Sequence, residues 1–329
     1  KADNNYQSTA FDKFLSYRAT IKNRLEAKYN RTVYPSGGFV GTENAALAGK
    51  PYSPSNGEVN PNSSDVLIPA FIAAYTGKDI NNVALSAFPT LLSMLPNWSM
   101  SYVGLISISW IKEKFKSVRL SHAYSCIYQV NNYNSFSSWV ETDDDLGFIR
   151  DVLSGKPVPS SPYNISSVSI AEMFNPLFGV NGTLNNSMTF NAQYNNYRTL
   201  NLNMAAYQIV ESLQKEFVVG VGYRINEFNR IIGITSKRPQ NFNNDLNLKA
   251  DLAHKTNQAL IRKIEERFTQ ATSGITTVTL RLSADYTLSR SLTLQAFFDR
   301  ILNKPLITST SYPTTNTNFG INLRFTLLQ

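Results

Sequence analysis

The sequence predicts an all-β chain of antiparallel strands, of the kind that walls a transmembrane β-barrel, with a few short helices in its N-terminal third. Three observations predict it. Period-two alternation of apolar and polar residues recurs through the C-terminal two thirds: at the end of the chain Phe319, Ile321, Leu323, Phe325 and Leu327 fall on one face, opposite Gly320, Asn322, Arg324 and Thr326. Charged residues make up only 16% of the 329, against roughly 25% in soluble domains. Aromatic residues reach 12%, and Asn is abundant. A wet face of this quality belongs either to bulk water or to the aqueous lumen of a membrane barrel.

From Ser8 to Tyr29, Phe11, Phe14, Leu15, Ile21 and Leu25 recur at near-helical spacing among Lys and Arg, which predicts an amphipathic helix packed on the rest of the protein. Residues 35–64 are rich in Gly, Pro, Asn and Ser and read as a loop. A second helix is expected over Asp65 to Tyr75, apolar almost all round and therefore buried. The uncharged stretch Ile80 to Ile111 is interrupted by Pro89, Pro96, Asn81, Asn82 and Asn97, so it is not expected to cross a bilayer as a helix. These features divide the chain into a helix and loop region, 1–95, lumenal or periplasmic, and a region of barrel strands, 96–329.

Met100, Tyr102, Ile106 and Ile108 begin the strands, and Val118 to Val130 follows, carrying Cys126, the sole cysteine, as a small apolar strand residue. A short strand is expected around Val168 and Ile170. Leu184 to Tyr194 and Leu200 to Ala206 read as two strands around a tight turn at Asn195–Arg198. Phe217 to Ile225, Leu246 to Leu252, Val278 to Leu288 and Leu292 to Phe298 continue the series; residues 255–270 fit either helix or strand. The total is about ten strands, most with an apolar band near the 9–11 residues that a tilted membrane strand needs. With a periplasmic C-terminus, the turns at 195–198 and 289–290 fall on the side where short turns are expected, while 226–244 is too long for it.

No constellation of an enzyme or metal site is legible. His122 and His254 lack ligands at metal spacing and read as structural. Asp143–Asp145 lacks the alternation and glycine turn of a calcium loop, and Gly220-x-Gly222 has no following helix to hold phosphate. The net charge of +8 is dispersed, which argues against nucleic acid. No catalytic residue, cofactor or metal is expected.

The terminal sequence Asn318-Phe-Gly-Ile-Asn-Leu-Arg-Phe325 fits the C-terminal insertion signal that outer-membrane barrels share, with Asn318, Gly320, Leu323 and Phe325 at its positions. Longer motifs are more specific: Leu95-Pro-Asn-Trp-Ser-Met-Ser-Tyr-Val-Gly-Leu105, Ser121-His-Ala-Tyr124 with Asn134-Ser-Phe-Ser-Ser-Trp139, Asn175-Pro-Leu-Phe-Gly-Val-Asn-Gly182, and Ala284-Asp-Tyr-Thr-Leu-Ser289 with Tyr312-Pro-Thr-Thr-Asn-Thr-Asn-Phe-Gly320. Over nearly its whole length the chain resembles the C-terminal part of the SprA/Sov family, the outer-membrane translocons of the type IX secretion system of Bacteroidota.

The resemblance implies a single-chain barrel of the largest known kind, about 36 strands, a figure that belongs to the family. About ten strands cannot close such a ring, so this chain is expected to be the final portion of a larger polypeptide, an expectation that its opening on Lys1 without a signal sequence shares. Family membership implies export of folded cargo across the outer membrane of a Gram-negative bacterium. The implied partners are the remainder of the same barrel polypeptide, a PorV-type outer-membrane barrel, a periplasmic plug protein, secreted cargo proteins and outer-membrane lipid, with no nucleic acid.

Alternation assigns Asn185, Asn191, Gln193, Arg224, Lys249, Asp251, Arg281, Asp285, Gln295 and Asp299 to the lumen-facing side. Leu280, Leu282, Tyr286, Leu292, Leu294, Phe298, Phe319, Ile321, Leu323, Phe325 and Leu327 are assigned to lipid. Phe297 departs from the wet pattern and is expected beneath a lumenal element such as the early helices. The alternatives are a self-closed smaller porin or barrel enzyme, such as a lipase or protease, and a soluble secreted β-sandwich adhesin.

Overall fold

A computed structural model describes residues 6–36, 44–89, 96–142, 146–228, 244–289, 291–307 and 311–326. Its framework is one nine-stranded antiparallel sheet with a helical layer on part of one face. The strands are β1 (Trp98–Tyr102), β2 (Phe115–Ser135), β6 (Tyr163–Leu184), β7 (Met188–Asn203), β8 (Gln208–Ile225), β9 (Leu246–Lys263), β10 (Phe268–Thr287), β11 (Leu292–Pro305) and β12 (Thr314–Phe325), paired in that order. β3 (Val140–Glu141), β4 (Gly147–Arg150) and β5 (Pro157–Pro159) form a small separate sheet in the β2–β6 connection.

The strands of the main sheet are longer than the local pattern suggests. Asn195–Arg198 is not a turn: pairing with β8 runs without a shift from Met188 to Asn203, and β7 is one strand of 16 residues. Its polar residues are matched across the sheet, where Asn195 Nδ2 donates to Glu216 at 3.1 Å and Arg198 Nε donates to Glu172 at 2.8 Å. The reversals fall at 185–187 and 204–207, where Ser187 and Tyr207 adopt positive φ. The strand expected around Val168 extends to 22 residues, and 255–263 continues β9 as strand before the turn at 264–267. Ile106 and Ile108 leave the sheet, Ile106 in a 3₁₀ turn and Ile108 just before the short helix α3 (Ser109–Lys114). Asp143–Asp145 and Leu327 lie outside the described residues.

Helix α1 (Thr9–Tyr29) begins where the Ser8 hydroxyl accepts the Phe11 N–H at 3.3 Å, and it buries Phe11, Phe14, Ile21, Leu25 and Tyr29. Helix α2 (Ser64–Thr76), buried on every side from Val66 to Tyr75, ends at Gly77, whose φ of 71° is the left-handed turn that glycine accepts without strain. α2 lies between α1 and the sheet. The shared core includes Phe14, Phe71 and Leu67 from the helices and Val168, Ile170, Leu200, Leu202 and Ile209 from β6, β7 and β8.

Two Arg–Glu pairs within the sheet hold the helical layer through its backbone carbonyls, and Arg18 of α1 adds a more exposed pair with Glu265 in the β9–β10 turn at 3.2 Å. Arg262 on β9 and Glu211 on β8 meet at 2.6 Å with side chains only 4% and 7% exposed; Arg262 Nη1 also donates to the Tyr6 carbonyl at 2.7 Å, and its guanidinium lies 5.8 Å from the Phe11 ring centre. Arg198 pairs with Glu172 and donates to the Tyr75 carbonyl at the end of α2.

The first turn of α2 also holds Asp65, whose Oδ2 accepts the Ser161 N–H at 2.9 Å. Enclosure by protein pushes its carboxyl above the ordinary aspartate range, against the opposing effect of bonds from Ser161 and Ser160. An acid that binds its proton more tightly folded than unfolded contributes stability at low pH and loses it as pH rises through the folded pKa. Asp65→Asn keeps an acceptor for Ser161 and removes that loss. The variant is therefore expected to melt higher than the parent at pH 7, with the two converging near about pH 3. Equal melting curves at both pH values would contradict the assignment.

Candidate functional site

Direct cross-strand partners lie on the same face of an antiparallel sheet, so the pairing register sorts every strand residue. One face carries Asn191 and Gln193 of β7, Arg224 of β8, Lys249 and Asp251 of β9, Arg281 and Asp285 of β10, and Gln295 and Asp299 of β11. Nine of the ten residues expected on the wet side therefore do share a face. Asn185 does not: it sits in the β6–β7 turn, where its Nδ2 donates to the Glu113 carbonyl at 2.8 Å and ties the turn to α3.

The polar face is organised in transverse rows. One runs Asn181, Asn191, Gly220, Asp251, Arg281, Asp299 and Asn318, placing Arg281 between two carboxylates in register. Another places Asp285, Gln295 and Asn322 side by side, with Gln295 Nε2 donating to Asp285 at 2.7 Å and Asn322 Nδ2 donating to Gln295 Oε1 at 3.4 Å. Gly220 is where a row needs space, because a Cβ there would collide with the side-chain oxygens of Asn191 and Asp251. Phe297 does not lie under the early helices, which are on the opposite face. Its ring covers Gly320 on β12, 2.9 Å from where a Cβ would stand, and so shields an edge-strand glycine.

The opposite face carries Leu280, Leu282 and Tyr286 of β10, Leu292, Leu294 and Phe298 of β11, and Phe319, Ile321, Leu323 and Phe325 of β12. Met188, Phe190, Ala192 and Tyr194 of β7 and Phe217, Val219, Val221, Tyr223 and Ile225 of β8 extend the same band. Phe319, Ile321, Leu323 and Phe325 are 64–76% exposed.

The band is oblique to the strands. On β7 it runs from the Met188 row to the Tyr194 row. On β12 its upper limit, Phe319, lies in the row of Phe190, and its last described residue, Phe325, lies two rows below that of Met188. From β7 to β12 the upper edge thus descends by two rows, or four residues. That is about 14 Å along the strands across five strand spacings of about 24 Å, an inclination of about 30°. On β8 the nine residues Phe217–Ile225 span about 27 Å along the strand, or about 24 Å perpendicular to the band edges. Aromatic rings mark both margins: Phe178, Tyr194 and Phe217 on one side, Tyr223, Tyr286 and Phe325 on the other.

The helical layer covers the same face as this band, at the end of the sheet away from the C-terminus. Between layer and band runs a polar belt containing Asn196, Lys215, Thr256 and Thr276 in one row. Among the described residues both sheet edges are open. β1 pairs only with β2 and all five of its residues are exposed, while β12 pairs only with β11. With every neighbour antiparallel, the first and ninth strands run in the same direction.

His122 is held within the fold: its Nδ1 lies 2.6 Å from the Leu177 carbonyl, where β6 shifts register between Phe174 and Phe178 across Pro176. Cys126 is buried, and its N–H donates to Asn97 Oδ1 at 2.7 Å. Among the described residues no group of three or more His, Cys, Asp or Glu is placed to hold a metal, and no helix is long and apolar enough to cross a membrane. Comparison of the chain with protein-family models and with curated proteins returned no match.

Proposed function

We propose that the chain is a wall segment of a large outer-membrane barrel that conducts folded proteins, completed by strands outside this sequence. The observation that carries the reading is the oblique apolar band. Its height is close to the roughly 25 Å apolar band of outer-membrane barrels, its inclination is near the 35–45° tilt of their strands, and its margins are aromatic. Water gives no reason for an exposed apolar band to continue across six successive strands, displaced obliquely from β7 to β12; a bilayer does. In this reading the polar rows of Asn191, Asp251, Arg281 and Asp299 line a hydrated conduit whose charges alternate in sign, offering cargo few adhesive surfaces.

The open edges favour a segment over a self-closed barrel. Joining β1 to β12 would need a parallel seam and an odd strand count, whereas bacterial single-chain barrels have even numbers of antiparallel strands. A sandwich would need a second sheet over the band, and among the described residues the only other sheet is β3–β5. The motifs that resemble the SprA/Sov translocons supply the transport function and the expected partners: the rest of that polypeptide, a PorV-type barrel, a plug protein and cargo. The helical layer, being on the lipid side of the wall and away from a periplasmic C-terminus, then projects outside the barrel at the cell-surface end, neither in the lumen nor at the periplasmic rim.

The test is the size of the native assembly solubilised in detergent, with a photo-crosslinker at Asn318 on the β12 edge. The expected result is a particle far larger than 36.8 kDa and a cross-link to sequence outside this chain. A monodisperse barrel of the chain's own mass, cross-linked between β12 and β1, would refute the proposal.

A further inference from the structure

The polar face carries a cavity that the transport reading does not use. It has a volume of about 630 Å³ and spans β7 to β11 near the helical-layer end of the strands, walled on one side by Ile307, Ser311 and Tyr312. That volume lies within the usual range of small-ligand sites. Thr272 and Ser273 of its lining sit where β10 shifts register against β9 between Ala271 and Ser273. The lining includes Tyr197, Ser212, Gln214, Asn257, Asn303 and Tyr312 and, among the described residues, no charged one.

Much of this polar lining is uncommitted. Among the described residues the side chains of Ser212, Gln214 and Tyr197 make no hydrogen bond to protein. Asn257 lines the cavity, and its enclosed Oδ1 accepts no hydrogen bond within the fold. Asn303, by contrast, is fixed: its Oδ1 accepts from Thr277 at 2.9 Å. Tyr312 stands 86% exposed at the rim, and no residue packs over its ring to that extent.

We propose that this cavity binds a short neutral oligosaccharide. A sugar presents hydroxyls that both donate and accept, matching amide and hydroxyl side chains, and an apolar C–H face that packs on an aromatic ring. Anionic or cationic ligands would be desolvated there without a counter-charge. An extended peptide is disfavoured because the strands bordering the cavity are internal to the sheet, with backbone donors and acceptors already paired to their neighbours. The proposal does not rest on the membrane reading, since the cavity is formed by the polar face alone.

The experiment is saturation-transfer NMR on the protein purified from its native membranes in an amine-oxide detergent, because maltoside headgroups would compete. The probes are maltotriose, cellotriose and chitotriose, with trigalacturonate as the charged counterpart and Gly-Ser-Asn-Gly as a peptide. At least one neutral trisaccharide is expected to bind with Kd below about 5 mM, weakened about tenfold by Tyr312→Ala and by Asn257→Leu. Tyr312→Ala changes an exposed rim residue and keeps the test valid if Asn257→Leu disturbs the sheet. Absence of neutral-sugar binding, equal binding of trigalacturonate or the peptide, or affinity unchanged in Tyr312→Ala would overturn the proposal.

Discussion

Glu211→Ala is expected to release the helical layer, destabilising it by about 3–5 kcal/mol, because it leaves the Arg262 guanidinium buried without its counter-ion. Arg262→Ala is expected to be comparably severe, since it strands the Glu211 carboxylate and also removes the bond to the Tyr6 carbonyl and the contact with Phe11. The double variant Glu211→Leu with Arg262→Met is expected to recover most of the loss, because a buried ion pair is often no better than apolar residues of similar volume. Hydrogen exchange over α1 reads the effect directly, separating release of the layer from unfolding of the sheet. If α1 amides exchange as slowly in Glu211→Ala as in the parent, the pair does not hold the layers together.

A charge placed on the two faces of the sheet is expected to have opposite consequences. Leu282 stands near the middle of the apolar band, and Ser283 follows it on the polar face. Leu282→Arg is expected to cost about 2–4 kcal/mol of folding in bilayers and to lower the yield of inserted protein sharply, as lipid-facing cations do at the membrane midplane. Ser283→Arg points into the wet rows beside Lys249 and is expected to insert nearly as the parent does. Urea-dependent folding into lipid vesicles measures both. Equal tolerance of the two variants would remove the distinction between a lipid side and a lumen side on which the functional proposal depends.

Much of the two-faced character of the sheet is readable residue by residue. Alternation needs only the side-chain period of a strand, so Leu280 and Leu282 separate from Arg281, and Asn191 from Phe190, without any knowledge of neighbours. The cap of α1 at Ser8 and the buried character of α2 are equally local. The errors have one cause: composition was read where pairing decided. Asn195-Asn-Tyr-Arg198 has the residues of a turn, yet Glu216 and Glu172 on neighbouring strands satisfy Asn195 and Arg198 and keep β7 straight through them. Asn185 has the alternation of a strand residue but is claimed by the turn and by α3. Phe297 looked like a misplaced apolar residue until Gly320 was found beneath it.

By itself, then, the sequence determined the strand period, the two chemically distinct faces, and the two early helices, because each follows from spacing along one segment. Tertiary structure alone decided the register that turns separate alternating segments into one inclined band. It also decided which face the helices cover, the Arg–Glu pairs that fasten them, the uncharged cavity with its orphaned Asn257 acceptor, and the two open edges. The physical reason is range: periodicity is a property of neighbours in the chain, whereas a row of seven residues across as many strands exists only after pairing has aligned them.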